Sequence, residues 1–121
     1  MIRLDATTKV LQAVLAGAVS ANQPQAYVSF FDENIEGEDT KGASKETNLN
    51  GVTDVTICAA PIQSFVRLID TITIYNRDTA SVTVIVKIDD AATENILMRR
   101  TLLTLETLAY EHGVGFYVMS V

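Results

Sequence analysis

The side chains able to do chemistry in this sequence are few and scattered. Cys58 is the only cysteine and His112 the only histidine. Together they would be the parts of a nucleophile and its base, which must lie within hydrogen-bond reach of each other. Cys58 sits in DVTICAAP, an apolar strand-like run. A free cysteine in such a run behaves as a small buried hydrophobe. His112 sits far along the chain in a turn-like stretch, so the two are not expected to meet.

Carboxylates offer the next possibility. Asp89, Asp90 and Glu94 are close enough in sequence for acid–base work. That work needs apolar surroundings to raise one pKa, and none flank them. A polar turn between two strands accounts for all three. The stretch DENIEGEDTKGASKETNLNG, residues 32–51, holds Asp32, Glu33, Glu36, Glu38, Asp39 and Glu46 against Lys41 and Lys45. Carboxylate oxygens suit calcium or magnesium, but these lack the spacing of an EF-hand loop. A solvated acidic loop is the simpler expectation. Arg99 and Arg100 carry forked donors suited to phosphate or carboxylate. On a strand only one of two neighbours points outward, which places one of them at an edge or interface.

One histidine and one cysteine are too few ligands for a transition-metal site within one chain. Phosphate-binding glycine loops, H-E-x-x-H, C-x-x-C and G-x-S-x-G are absent from the sequence. No catalytic, cofactor-binding or metal-binding residue is therefore assigned, and the chain is not expected to be an enzyme.

A chain of 121 residues argues for one domain, 1–121. Hydrophobic residues make up 48% and charged ones 20%, a globular balance rather than a disordered one. The net charge of −6 speaks against nucleic acid and against anionic membrane surfaces as partners. A lone cysteine forms no internal disulfide. The run VLQAVLAGAV, with Ala16-Gly17-Ala18, imitates a secretion signal, but Gln12 interrupts it and Asp5 stands where positive charge belongs. It is also too short to span a bilayer.

The elements that would position these groups read as strands. SVTVIVKIDD sets Val82, Val84, Val86 and Ile88 on one face and Thr83, Ile85 and Lys87 on the other, the period of two that marks a half-buried strand. In FVRLIDTITIYNRD, residues 65–78, the even positions Val66, Leu68, Ile72 and Ile74 form the more apolar face. With NRDTAS between them, these two runs predict a hairpin over 66–88. Strands are also expected at 9–15, 26–34, 52–60, 94–103, 107–111 and 115–120. His112-Gly113 supplies the last tight turn. The stretch 95–108 is rich in helix formers, but its neighbours are β-rich and it is read as strand. About eight short strands with regular turns predict an all-β fold, an antiparallel β-sandwich or jelly roll.

These phrases also carry a resemblance. Ile72-Thr73-Ile74-Tyr75-Asn76-Arg77-Asp78 matches a pattern I-x-V-Y-N-x-D, and Thr79-Ala80-Ser81-Val82-Thr83-Val84 matches T-A-x-x-T-V. A turn at Asp89–Thr93 follows, then Thr101-Leu102, Glu106-Thr107-Leu108-Ala109-Tyr110 and a closing Gly113-Val114-Gly115-Phe116-Tyr117-Val118. In this the chain resembles small β-rich virion proteins of tailed bacteriophages. It departs from them at Ala91-Ala92, where glycine is common, at Thr104-Leu105, and at Phe116, where Trp is frequent.

The resemblance implies a capsid decoration (cement) protein, or else a tail or fibre component contacting the host surface. It implies a place on the capsid exterior of a virion made in the host cytoplasm. The partners implied are the major capsid protein and further copies of the chain, as a homotrimer. An extended N-terminal arm, 1–8, would tie to a neighbour, and the acidic loop 32–51 would face outward. The interface residues expected are Met1, Ile2, Arg3, Leu4, Arg99, Arg100, Phe116 and Tyr117.

Overall fold

Val82, Val84 and Val86 are buried and Thr83 and Ile85 are not, so the strongest period-two signal of the sequence marks a real two-faced strand. The computed structural model describes residues 1–34, 36 and 40–120. Among these residues lie ten strands and no helix: β1 (Ile2–Leu4), β2 (Lys9–Leu15), β3 (Gln25–Asn34), β4 (Thr40–Asn48), β5 (Val55–Cys58), β6 (Phe65–Tyr75), β7 (Val82–Asp90), β8 (Thr93–Leu102), β9 (Thr107–Glu111) and β10 (Gly115–Met119). All pairings are antiparallel. Six strands form one sheet in the order β10-β9-β6-β3-β4, with β1 beside β6, and four form the other in the order β5-β2-β7-β8. The chain is an all-β sandwich. Its core is the apolar layer between the sheets, with Leu4, Leu11, Val28, Ile57, Ile72, Ile74, Val84, Val86 and Leu102 fully enclosed.

The hairpin expected over 66–88 does not form. β6 lies in the six-stranded sheet and β7 in the four-stranded one. The two apolar faces meet across the core instead of lying side by side. Either arrangement buries the same residues, so alternation alone cannot separate them. The crossing is built by Asn76. Its Nδ2 donates to the carbonyls of Ala80 at 3.1 Å, Leu102 at 3.2 Å and Leu103 at 3.0 Å. Asn76 therefore ties the β6–β7 crossing to the β8–β9 crossing, which passes between the same sheets.

Asp78 completes this corner. Its carboxylate accepts from the amides of Ser20 at 2.9 Å, Ala21 at 2.8 Å, Asn22 at 3.1 Å and Thr79 at 2.9 Å. The Asn-x-Asp phrase is thus a structural knot, and both side chains are buried.

The even face of β6 points inward only in part. Ile72 and Ile74 are buried, but Ile69 is buried and Asp70 exposed. The register with β3 explains this: Ser29 pairs with Thr71 and Phe30 with Ile69, leaving Asp70 as the extra residue of a bulge. A bulge reverses which parity faces the core. Beyond it Phe31, Val66 and Leu68 turn to the outer face. The His112 amide donates to the Asp70 carbonyl at 2.9 Å and holds the bulge.

Two further expectations need correction. The span 32–51 is not one loop, because β4 pairs with β3 from Gln25↔Asn48 to Glu33↔Thr40. β4 is an edge strand whose residues 41–46 are all exposed, so it carries no apolar alternation to read. Of the acids in that span, Glu38 and Asp39 lie outside the described residues. The N-terminal arm is not free either. β1 pairs with β6, Ile2 and Leu4 are buried, and the Ile2 amide donates to the Tyr110 hydroxyl at 3.0 Å. Around 95–108 the chain is strand, turn and strand, as the neighbours predicted.

Candidate functional site

The eight expected interface residues fall into four places. Ile2 and Leu4 belong to the core, so only Met1 and Arg3 of that group reach the surface. These two border a depression of about 340 Å³ on the outer face of the six-stranded sheet, beside Glu33, Val66 and Leu68. It lies on the half of that face where the Asp70 bulge turns Val66 and Leu68 outward, between the charges of Arg3 and Glu33. Arg99 pairs with Ile85 and stands on the outer face of the four-stranded sheet. Arg100, Phe116 and Tyr117 come together with Met98, Leu108 and Val118 around a slot of about 160 Å³.

The slot lies between two sheet edges. β8 ends one sheet and β10 ends the other, and both have a free side. Met98 shares a face with Val86, and Arg100 with Val84, so both lean toward the core side of the edge. Phe116 and Val118 stand opposite Tyr110 and Leu108 and also point inward. The Phe116 and Tyr110 rings sit 5.0 Å apart at 51°, a tilted aromatic pair. Phe116, Val118 and Met98 are only half-buried, so core-type side chains reach the rim here. On the outer face Tyr117 is held near Glu111. Burial first, and then the Glu111 carboxylate, push its hydroxyl above the ordinary phenol value.

A second surface was not legible from composition. Gln25, Tyr27, Glu46, Asn48, Thr73 and Tyr75 line a trough of about 420 Å³ on the outer face of the six-stranded sheet. Tyr27 pairs with Thr73 and Tyr75 with Gln25, so the two rings are diagonal neighbours across β3 and β6. Their outward positions follow from alternation, but their adjacency follows only from the register.

The remaining polar groups are structural. Arg67 grips Asp32 with two hydrogen bonds, Nε to Oδ1 at 2.7 Å and Nη2 to Oδ2 at 2.9 Å. It also donates to the Ala59 carbonyl at 2.9 Å and lies 4.3 Å over the Phe30 ring. Cys58 is fully buried, and burial pushes its thiol up while Arg67 partly opposes the shift. A thiol held protonated is a poor nucleophile. His112 is exposed in the β9–β10 turn. Asp90 accepts from the Thr8 hydroxyl at 2.5 Å and Glu94 from Lys87 at 2.7 Å, so these two acids have separate partners, while Asp89 Oδ1 is buried without a hydrogen-bond partner. Among the described residues no group of three His, Cys, Asp or Glu side chains is placed to hold a metal ion.

No family model, curated protein or solved structure matches this chain.

Proposed function

We propose that the chain is a non-enzymatic structural protein of a tailed-phage particle. In this reading it is a decoration protein on the capsid exterior that self-associates and clamps neighbouring capsid subunits. The sequence resemblance points to that class. The structural observation that supports it is the slot between two free edges, β8 and β10, where Arg100, Phe116 and Tyr117 gather. Partly exposed core side chains beside unpaired backbone are the features by which one β-protein seats against another. Ile2 and Leu4 take no part in this contact because they are buried in their own sandwich.

A second reading rests on a different observation. The trough with Tyr27 and Tyr75 combines aromatic faces with carboxamide, hydroxyl and carboxylate groups. That mixture suits a tail or fibre component in contact with a host surface.

Copy number separates the two. Quantitative mass spectrometry of purified particles, against the major shell protein, is expected to give hundreds of copies in fixed ratio to the shell. A handful of copies would move the chain to the tail. Its absence from the particle would overturn both readings.

A further inference from the structure

A β-sandwich must manage every strand edge it leaves unpaired, because free N–H and C=O groups template pairing with another chain. Among the described residues five edges are free: β1, β4 and β10 in one sheet, β5 and β8 in the other. Four carry features that oppose pairing. β1 has three residues and presents the exposed Arg3. β5 has four residues and follows Asp54, whose side chain is 42% exposed. β4 displays Lys41, Lys45 and Glu46, all exposed. β8 is broken by a bulge, since Val86 pairs with Met98 and Lys87 with Ile96, and it carries exposed Arg99 and Arg100. β10 has none of these. Gly115–Met119 contains no charge and no proline, and it runs without a register shift along β9.

We propose that β10 is the edge by which two copies of this chain join, antiparallel about a two-fold axis at Tyr117. The six-stranded sheet would then continue from one copy into the next. Self-pairing in this register sets Phe116 opposite Val118 of the second copy, apolar on apolar, on the face that continues the core. It sets the two Tyr117 side chains opposite each other on the outer face. The rim of the 160 Å³ slot, half-open in a single chain, is covered by the arriving strand.

Charge selects the occupant. The five residues of β10 carry no ionised side chain and so offer a charged strand no complementary group, whereas a second β10 matches them; Arg100 at the slot rim and Glu111 beside Tyr117 flank the contact. Five residues of main-chain pairing plus a small slot fall at the low end of interface sizes, so the expected Kd is on the order of 10 µM. The inference does not rest on the particle reading. It assigns two-fold symmetry to this edge, in place of the three-fold grouping that the resemblance implies.

Sedimentation equilibrium of the full chain, from about 1 to 300 µM, tests it. The expected result is a reversible rise to twice the chain mass. Tyr117→Lys places two ammonium groups face to face and is expected to leave a monomer with an unchanged far-UV spectrum. An equimolar mixture of Tyr117→Lys and Tyr117→Glu is expected to restore the doubled mass. Should Tyr117→Lys fail to fold, Met119→Lys, at a residue 43% exposed, puts a lysine at each end of the paired strands, the feature that guards β4, and is likewise expected to abolish the doubled mass. A wild-type chain that stays monomeric throughout, a trimer, or a dimer that survives both lysine variants would overturn the proposal. So would association only in the presence of a different protein.

Discussion

The Asp78 amide donates to the Asn76 side-chain oxygen at 3.0 Å, which fixes the carboxamide so that its nitrogen faces three carbonyls. The backbone of Asn76 joins in as well. Its amide donates to the Glu106 carbonyl at 2.9 Å, and its carbonyl accepts from the Leu105 amide at 2.8 Å. One residue thus uses both main-chain groups and both side-chain ends to bind two crossings between sheets.

Asn76→Ala is therefore expected to be among the most damaging substitutions in the chain. It strands the carbonyls of Ala80, Leu102 and Leu103. The Leu102 bond is buried and the other two are part-buried; a buried group left without a partner costs roughly 1–3 kcal/mol, and with the smaller cost of the other two the expected loss is about 3 kcal/mol. For a domain of this size the melting temperature should fall by about 10 °C. Urea titration with matched m-values checks the free energy.

Acid should attack the same corner through Asp78. The Ser20 amide lowers its pKa most, burial opposes, and the amides of Asn22, Ala21 and Thr79 add to bring it down from 3.8 to about 2. The folded state holds the proton less tightly than the unfolded one. The stabilisation is thus fully present above about pH 4 and is lost as pH falls through about 2. Asp78→Asn should flatten that part of the profile. Urea midpoints between pH 5 and pH 2, for both proteins, measure the difference.

The β7–β8 turn should be improvable. Ala91 and Ala92 adopt φ of 50° and 74° between the paired Asp90 and Thr93. A two-residue hairpin loop with both φ positive favours Asn-Gly, and alanine there is strained. Ala91→Asn combined with Ala92→Gly is expected to add about 1 kcal/mol and raise the melting temperature by about 4 °C. Calorimetry of the double variant decides.

Lys87 should matter less than its burial suggests. It is 6% exposed, between Asp54 at 2.9 Å and Glu94 at 2.7 Å. Both carboxylates stay substantially hydrated, at 42% and 49% exposure of their side chains. Replacement by an apolar chain of similar length removes the cost of holding the ammonium out of water. Lys87→Met is expected to shift stability by less than about 1 kcal/mol. A double-mutant cycle with Glu94→Gln measures the coupling.

Side-chain alternation over Val82–Val86 of β7 is readable because that strand has one dry face, and in β6 it holds only from Thr71 to Tyr75. β4 left no such trace because it lies at an edge with water around it. The crossing at 76–81 was misread as a hairpin because the apolar pattern says which face is buried but not which sheet buries it. The bulge at Asp70 reversed parity with no turn residue to signal it. At the candidate site, Arg100 is expected at an edge or interface from its residue type, and Phe116 and Tyr117 only from the resemblance. Their meeting at one slot depends on β8 and β10 ending opposite sheets, a long-range fact. The trough around Tyr27 and Tyr75 was missed for the same reason.

The Asp70 bulge divides the outer face of the six-stranded sheet into two textures. On one side of it stand Ser29, Thr71, Thr73 and the tyrosines; on the other stand Phe31, Val66 and Leu68, with Arg3 and Glu33 beside them. Hydroxyls cover the first region, while the second sets hydrocarbon between charges. Any flat body laid on that face would register a boundary running across the strands, and with it a direction, so that turning the body end for end would mismatch both halves at once.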